Sequence, residues 1–592
     1  MTALPRTDRD VFQPAPAGTV LTGAQMIWEA LVAQHVDVVF GYPGGAIMPA
    51  YDAMPAYPIR HVLVRHEQGA AHMADGYARA SGKTGVCIAT SGPGATNLVT
   101  GIANAMLDSI PIVFITGQVP SHLLGTDAFQ ETDVTGVTLS VTKHNYLVTR
   151  VEEIGPIIEE AFYVARSGRP GPVLVDICKD AQQAKAPWVP PTAQIRRRGY
   201  RPDHRATPQA LDRAAAMIDA AERPVILAGH GIIESGSAEL LRAFVEKTGI
   251  PVGSTLLGLG GFPATHPLAL GMMGMHGEAW VNTAIQEADL LIALGMRFDD
   301  RVTGRLSTYA PVARKIHVDI DPTEFNKNVR VDLALCDDVG RVLGELVPRV
   351  RQRKRETWMG RIGTLKGDAA VRDIKNLPDD GHLYAAHVMH DLWRETRGDA
   401  LVVTDVGQHQ MWEAQYYHHE APRSLITSGG LGTMGFALPA AIGARFACAA
   451  DDEVWVIAGD GGFQMTQCEL ATIAQEGLKL YVAIINNGYL GMVRQWQQFF
   501  YEGRYVATPL SGPDFVKLAE AHGLTGIRVT NRSELADAVA TARRTPGTVV
   551  FDFRVEQEDS VYPMVPSGAD LGDMIRRPVP RPSAIVETLE DP

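Results

Sequence analysis

Cysteine is scarce in this chain. Its 592 residues hold five (Cys87, Cys178, Cys336, Cys448 and Cys468), an odd number, scattered, and never spaced as Cys-x-x-Cys. That argues against a disulfide framework or a structural zinc site and fits a reducing compartment. Each cysteine is expected to be a small core residue. No run stays apolar for the ~18 residues that a membrane-crossing helix needs. Residues 1–18 carry proline and charge but no apolar stretch. They read as neither a secretory signal nor a transit peptide, so a cytoplasmic protein with a short disordered lead is expected. Positive charge is in deficit. The net charge of -13 argues against nucleic acid as a main partner. The one basic run, 349–355 (RVRQRKR), reads as a solvated helix end or a linker. Short-period repeats are missing, as are low-complexity tracts beyond the linkers.

What is present is a globular composition, 46% hydrophobic and 20% charged. The length exceeds one hydrophobic core, and about three domains are the natural division. Three α/β segments, each with a doubly wound parallel sheet, can be marked off by β-prone apolar runs alternating with helical stretches. The first spans 20–185, with strands at 36–40, 86–89, 112–115 and 173–177. A proline- and arginine-rich linker, 186–208, leads to the second, 209–350, with strands at 225–227, 290–294 and 315–320. A charged connection, 351–380, precedes the third, 382–555, and a tail, 556–592, follows.

The third segment carries the most informative motif. Residues 456–462 (VIAGDGG) and 484–489 (IINNGY) each end a β-prone run, with one helical stretch, 464–476, between them; Leu470, Ile473 and Ala474 share its face. Asp460 and Asn487 are thereby placed at the carboxyl ends of two parallel strands, where open sheets bind ligands. An aspartate, an asparagine and backbone carbonyls are hard oxygen ligands that suit magnesium completed by substrate phosphate. Gly461 and Gly462 let a diphosphate approach the backbone at a helix start.

A second constellation lies at 65–79 (RHEQGAAHMADGYAR), a strand running into a helix with Glu67 in its first turn. Glu67 is either a helix-dipole residue or a buried acid-base group. The glycine-rich turn 90–97 (TSGPGATN) lacks the ending of a P-loop, and reads as a structural turn packing against a cofactor.

Together, the paired Asp460 and Asn487 signature, Glu67 and the motifs GYPGG (41–45), RHEQG (65–69), GTDAFQE (125–131), RPGP (169–172), RFDDRVTG (297–304), GGLGTMG (429–435) and VYPM (561–564) resemble the catalytic large subunits of the acetolactate synthases. The likeness runs from about 22 to 575. It implies three α/β domains that bind the pyrimidine end of thiamine diphosphate, FAD, and the magnesium-bound diphosphate. It implies magnesium on Asp460, Asn487 and the Tyr489 carbonyl. Glu67 would promote the imino tautomer of the aminopyrimidine ring. Gln408, His409, Gly432, Met434, Gly461, Gly462, Leu490, Gly491 and Met492 would hold the cofactor, with Met434 supporting its bent shape.

Arg169, His276, Arg297, Asp319 and Asp338 would hold the flavin, which has no redox task in the reaction. On spacing alone they also fit a surface salt-bridge cluster. Phe129, Gln130, Lys179, Met492 and Trp496 would form the substrate pocket, with Gln130 orienting the acceptor and Trp496 favouring 2-ketobutyrate. The implied reaction joins pyruvate, after loss of carbon dioxide, to a second 2-keto acid. A homodimer or homotetramer with its site at the dimer interface is implied, as is a small regulatory subunit. Pyruvate oxidase and glyoxylate carboligase share the fold and cofactors; relatives of the latter lack the glutamate. Two departures from the family pattern stand out: Cys178 replaces the usual proline before Lys179, and Ala228 leaves the run 228–231 one glycine short.

Overall fold

Strands buried on both faces of a parallel sheet are unbroken apolar runs, and such runs organise this chain. The computed structural model describes residues 12–578, apart from 192–196, 198, 371 and 377–380. Residues 1–11 of the expected lead and 579–592 of the tail lie outside the described residues. The fold class is the one expected, α/β with three six-stranded parallel sheets.

The first sheet comprises β1 (Val38–Gly41), β2 (Arg60–Leu63), β3 (Gly85–Ala89), β4 (Ile112–Gln118), β5 (His144–Val148) and β6 (Val173–Cys178), in the order β2-β1-β3-β4-β6-β5. The second comprises β7 (Pro224–Ala228), β8 (Val252–Ser254), β9 (Ala269–Met272), β10 (Leu290–Leu294), β11 (Arg314–Asp319) and β12 (Leu333–Cys336), ordered β9-β8-β7-β10-β11-β12. The third comprises β13 (Leu401–Thr404), β14 (Leu425–Thr427), β15 (Val454–Gly459), β16 (Tyr481–Asn486), β17 (Thr525–Val529) and β18 (Val549–Arg554), ordered β14-β13-β15-β16-β18-β17.

The first and third sheets therefore share one topology, and they share one core. The helix after the second strand is α1 (Glu67–Ser81) in the first segment. Its counterpart in the third is Ala437–Arg445. These equivalent helices pack directly on each other. A Cβ on Gly76 would lie 1.9 Å from the Ala440 carbonyl oxygen, and one on Gly443 would lie 1.8 Å from that of Met73. The bare glycine backbones set this crossing distance. A single apolar cluster, including Phe40, Phe114, Val456 and Ile484, fills the space between the two sheets. The middle segment has clusters of its own on either side of its sheet.

Several local expectations need correction. The helical stretch expected at 464–476 starts earlier, as Asp460–Thr466, and a 3-10 turn separates it from Leu470–Glu476. Leu470 and Ile473 are buried, but Ala474 is exposed. The charged connection 351–380 contains a helix, Glu356–Ala370, whose Trp358 and Ile362 are buried. The basic run before it is only partly solvated. Buried Arg355 donates to the carbonyls of Ile218 (3.2 Å), Ala221 and Thr248 (3.1 Å), and Arg353 donates to that of Asp219 (2.8 Å). These guanidinium groups close the carbonyl end of the helix Pro208–Ala220. All five cysteines are unpaired, yet only Cys87 and Cys178 are buried. Cys336 and Cys448 are half-buried and Cys468 is exposed.

Candidate functional site

The carboxyl ends of the third sheet form the first part of the site. Asp460 directly follows β15 and is 3% exposed. Burial pushes its carboxyl up to about 6, against the pull of backbone amides at Gly461 and Gly488. Asn487 follows β16. Its Oδ1 accepts from the Tyr489 amide at 3.0 Å, and its Nδ2 donates to Gln408 Oε1 at 3.3 Å. Gln408 opens the helix after β13 and donates in turn to Gln495 Oε1 at 2.9 Å.

The next residue, His409, packs its ring against two glycines; a Cβ on Gly407 or Gly459 would lie 3.0 or 2.9 Å from it. Burial pushes the imidazole down to about 3, so it is neutral. Its Nε2 is buried and has no hydrogen-bond partner among the described residues. Asp460, Gly461, Gly462, Asn487, Tyr489, Leu490, Gly491, Met492, Gln408, His409 and Met434 line one cavity of roughly 60 Å³. Its glycines are required by close approach. A Cβ on Gly491 would lie 2.1 Å from Gln408 Oε1, and one on Gly461 would lie 2.8 Å from Leu490 Cδ2. A single carboxylate, an amide oxygen and a carbonyl, beside an unpartnered imidazole and closely packed glycines, fit a divalent cation carrying a diphosphate.

The second part lies at the carboxyl ends of the first sheet. Glu67 is the first residue of α1, half-buried, and its Oε2 accepts from Asn97 Nδ2 at 2.9 Å. The glycine-rich turn 90–97 packs against both Glu67 and Gln130. A Cβ on Gly94 would lie 3.4 Å from Glu67 Oε1, and one on Gly92 would lie 2.9 Å from the Gln130 backbone. Gln130 has φ +60°, and Phe129 beside it is 88% exposed. Lys179 starts the short helix Lys179–Gln183 at the end of β6. Cys178 before it has φ -59°, the angle that a proline ring fixes, so the departure at that position leaves the backbone in a proline-like setting. Glu67, Phe129, Gln130 and Lys179 line neither the cavity around Asp460 nor the larger one described next.

That larger cavity, of about 900 Å³, sits over the carboxyl ends of the middle sheet and reaches the third segment. Arg169, His276, Arg297, Asp319 and Asp338 all line it, as do Gly432, Met492 and Trp496. Arg169 donates to Ser109 Oγ at 2.8 Å and pairs with Glu324 at 2.9 Å. Burial pushes His276 down to about 4. Gly229 and Gly231 fit against Gly295, where a Cβ would lie 2.2 or 2.6 Å from its backbone. Ala228 is fully buried below them and does not line the cavity, so its side chain takes nothing from the cavity wall. Met492, Val406 and Gly407 line both this cavity and the smaller one.

Sequence reasoning did not assign Asn97 a bond to Glu67. It also missed Asp108 and Asp405, which accept from the amides of Gly429, Gly430, Gly435 and Ala437, and His230, which lines the larger cavity. Asp108 carried a legible signal. An aspartate as the last residue of an apolar helix opposes the helix dipole and needs a buried cation to offset it.

Three family descriptions match the chain in order: thiamine pyrophosphate enzyme, N-terminal TPP binding domain over residues 21–137; central domain over 211–346; and C-terminal TPP binding domain over 405–553. The acetolactate synthase large subunit of Corynebacterium glutamicum is 50% identical, covering 94% of this chain and 90% of its own length. The acetolactate synthase of Mycobacterium bovis is 49% identical over 93% of this chain and 90% of its own. The acetolactate synthase isozyme 2 large subunit of Escherichia coli is 47% identical over 94% of this chain and 100% of its own. With thiamine diphosphate binding domains at both ends and this likeness over nearly its whole length, the chain belongs to the acetolactate synthase family of thiamine pyrophosphate enzymes.

Proposed function

We propose that this enzyme builds its active site from two copies of the chain, with magnesium at the Asp460 cavity and FAD in the large one. The observation that carries the reading is the separation of Glu67 from Asp460. Each stands at the carboxyl end of a sheet of the same topology, and Glu67 does not line the cavity around Asp460. A second copy related by a two-fold axis supplies the missing half to each site. The domain boundaries 20–185, 209–350 and 382–555 rest on the composition of the linkers between them.

When bound, thiamine diphosphate supplies the electron sink for the carbon that loses carbon dioxide. The chain's own residues do the rest. Asp460, Asn487 and the Tyr489 carbonyl would hold the cation, and Gln408 and neutral His409 would meet the diphosphate. Glu67, oriented by Asn97, would set the tautomer of the pyrimidine ring. Met434 and Leu490, which line the same cavity, would support the cofactor. Gln130 orients the second 2-keto acid, Phe129 and Lys179 close the pocket from the partner copy, and Trp496 with Met492 shapes it for 2-ketobutyrate as well as pyruvate. The products are 2-acetolactate and 2-aceto-2-hydroxybutyrate.

The strand order β9-β8-β7-β10-β11-β12 supports the flavin assignment. It reverses between β7 and β10, where doubly wound sheets hold dinucleotides. Arg169 and Arg297 suit the diphosphate and Asp319 or Asp338 a ribose. The relatives named as large subunits support a small regulatory partner. Five unpaired cysteines support a reducing, cytoplasmic setting.

The test is product formation from pyruvate with thiamine diphosphate and magnesium, with and without FAD. Acetolactate formed only with FAD, and with the flavin still oxidised, supports the reading. Acetate or a bleached flavin under anaerobic pyruvate overturns it in favour of an oxidase.

A further inference from the structure

The loop that walls off both cavities is held by a buried ionic cluster in the first segment. Residues 428–432 line the large cavity, and Met434 lines the small one. The loop is pinned at its far end by Asp405, which accepts from the amides of Gly435 (3.0 Å) and Ala437 (3.1 Å). Its near end is pinned by Asp108, the last residue of the helix Val99–Asp108. Asp108 Oδ1 accepts from the Gly430 amide at 2.6 Å, and Oδ2 accepts from that of Gly429 at 3.1 Å.

Asp108 is 2% exposed, and Arg79 is 4% exposed. The Arg79 guanidinium spans Asp108 Oδ2 (2.8 Å), Asp75 Oδ1 (2.6 Å) and the Thr427 carbonyl (2.9 Å). Asn104 ties the same cluster to the loop. Its Nδ2 donates to Asp75 at 3.1 Å, and its Oδ1 accepts from the hydroxyls of Ser428 (2.6 Å) and Thr433 (3.1 Å). The Ser428 hydroxyl in turn accepts from the Thr433 amide at 2.9 Å. Only Leu431 and Gly432, at the tip, are exposed and unpinned by any of these bonds.

We propose that Asp108, fixed by Arg79, is a positioning residue that sets the conformation of loop 428–435 and through it the affinity of both cofactor cavities. The two amide bonds meet a buried carboxylate that is also paired with Arg79, and bonds to such a group are charge-assisted. Removing the charge leaves Arg79 with one carboxylate and the loop start with a weaker acceptor. The inference rests on the assignment of the two cavities to thiamine diphosphate and FAD.

The experiment measures FAD binding to the full-length apo protein by quenching of flavin fluorescence, and thiamine diphosphate with magnesium by calorimetry. The proteins compared are the unaltered chain, Asp108→Asn, Ser428→Ala and Asp75→Asn. Asp75→Asn disturbs the same cluster without touching the loop. The expected result is a rise of tenfold or more in both dissociation constants for Asp108→Asn, and about threefold or more for Ser428→Ala. Asp75→Asn is expected to lower the thermal midpoint while both constants stay within twofold. A merely structural cluster predicts lowered midpoints with unchanged constants in every variant, and that result overturns the proposal. If Asp108→Asn does not fold, the contrast between Ser428→Ala and Asp75→Asn decides by the same criterion. Failure of the unaltered chain to bind FAD overturns the assignment of the large cavity and this inference with it. Tight binding by the unaltered chain and by Asp108→Asn alike overturns the inference alone.

Discussion

The side-chain amide of Asn97 donates to the carboxylate of Glu67 at 2.9 Å, so the turn 90–97 orients the side chain proposed to meet the pyrimidine ring. The motif TSGPGATN therefore does more than pack. Its glycines clear space for Glu67 and Gln130, and its last residue fixes the direction of the carboxyl group. Asn97→Ala removes one charge-assisted bond, of order 1.5–3 kcal/mol. The expected result is a kcat lowered by about tenfold or more with the fold retained, read from steady-state kinetics and circular dichroism. A kcat within twofold of the unaltered enzyme removes Asn97 from this role.

Gly443 meets the Met73 carbonyl oxygen at a distance that leaves no room for a methyl group. Gly443→Ala forces α1 and Ala437–Arg445 apart across the shared core, and overpacking of this kind costs about 1–3 kcal/mol. A thermal midpoint lowered by several degrees is expected, with the same direction for Gly76→Ala. An unchanged midpoint in both variants contradicts the close crossing.

How much of the molecule is legible in its sequence depends on whether the signal is local. The β-prone runs marked above fall on strands to within a few residues, whereas β5, β8, β9, β12, β13, β14, β17 and β18 are not among them. Asp460 and Asn487 can be placed at strand ends because a strand-helix-strand unit leaves few alternatives. The helix between them starts earlier than expected because its first turn coincides with the Gly-Asp-Gly motif, which reads as loop chemistry. Arg355 reads as solvated because a basic run has no visible partners in sequence. Its acceptors are carbonyls more than a hundred residues away. Arg79 and Asp75 stand one helical turn apart and Asp108 lies 29 residues on, so their cluster belongs to the first segment alone. What the sequence hides is its grip on Gly429 and Gly430, more than three hundred residues away. That Glu67 and Asp460 stand apart is likewise beyond composition or periodicity, since it follows from the packing of two equivalent sheets.

Asp176 provides a test of pH linkage away from the cofactor cavities. It is 1% exposed in β6 and accepts from Thr116 Oγ1 (2.7 Å) and Gln118 Nε2 (2.8 Å). Burial raises its carboxyl from 3.8 to about 7, and the two donors offset only part of that rise. The folded state thus keeps a proton that the unfolded chain releases between those values. This group favours folding most below its unfolded pKa. The contribution is lost as pH rises towards about 7 and stays flat above it, with a slope of at most about 1.4 kcal/mol per pH unit. Denaturation midpoints of Asp176→Asn are expected to vary less than those of the unaltered protein between about pH 5 and 7. Parallel curves contradict the assignment.

The most direct test of the shared site mixes two variants, each inactive by itself. Glu67→Gln removes the acid from one half of every site, and Asp460→Asn removes the cation ligand from the other half. If each site takes Glu67 from one copy and Asp460 from its partner, a mixed dimer has one intact site of two. Refolding or co-expressing the variants in equal amounts then restores about a quarter of the unaltered acetolactate-forming activity, because half of randomly paired dimers are mixed. That is the expected result. Mixtures as inactive as their components, with mixed dimers shown to form, would mean that one chain completes its own site, and would contradict an active site built from two copies.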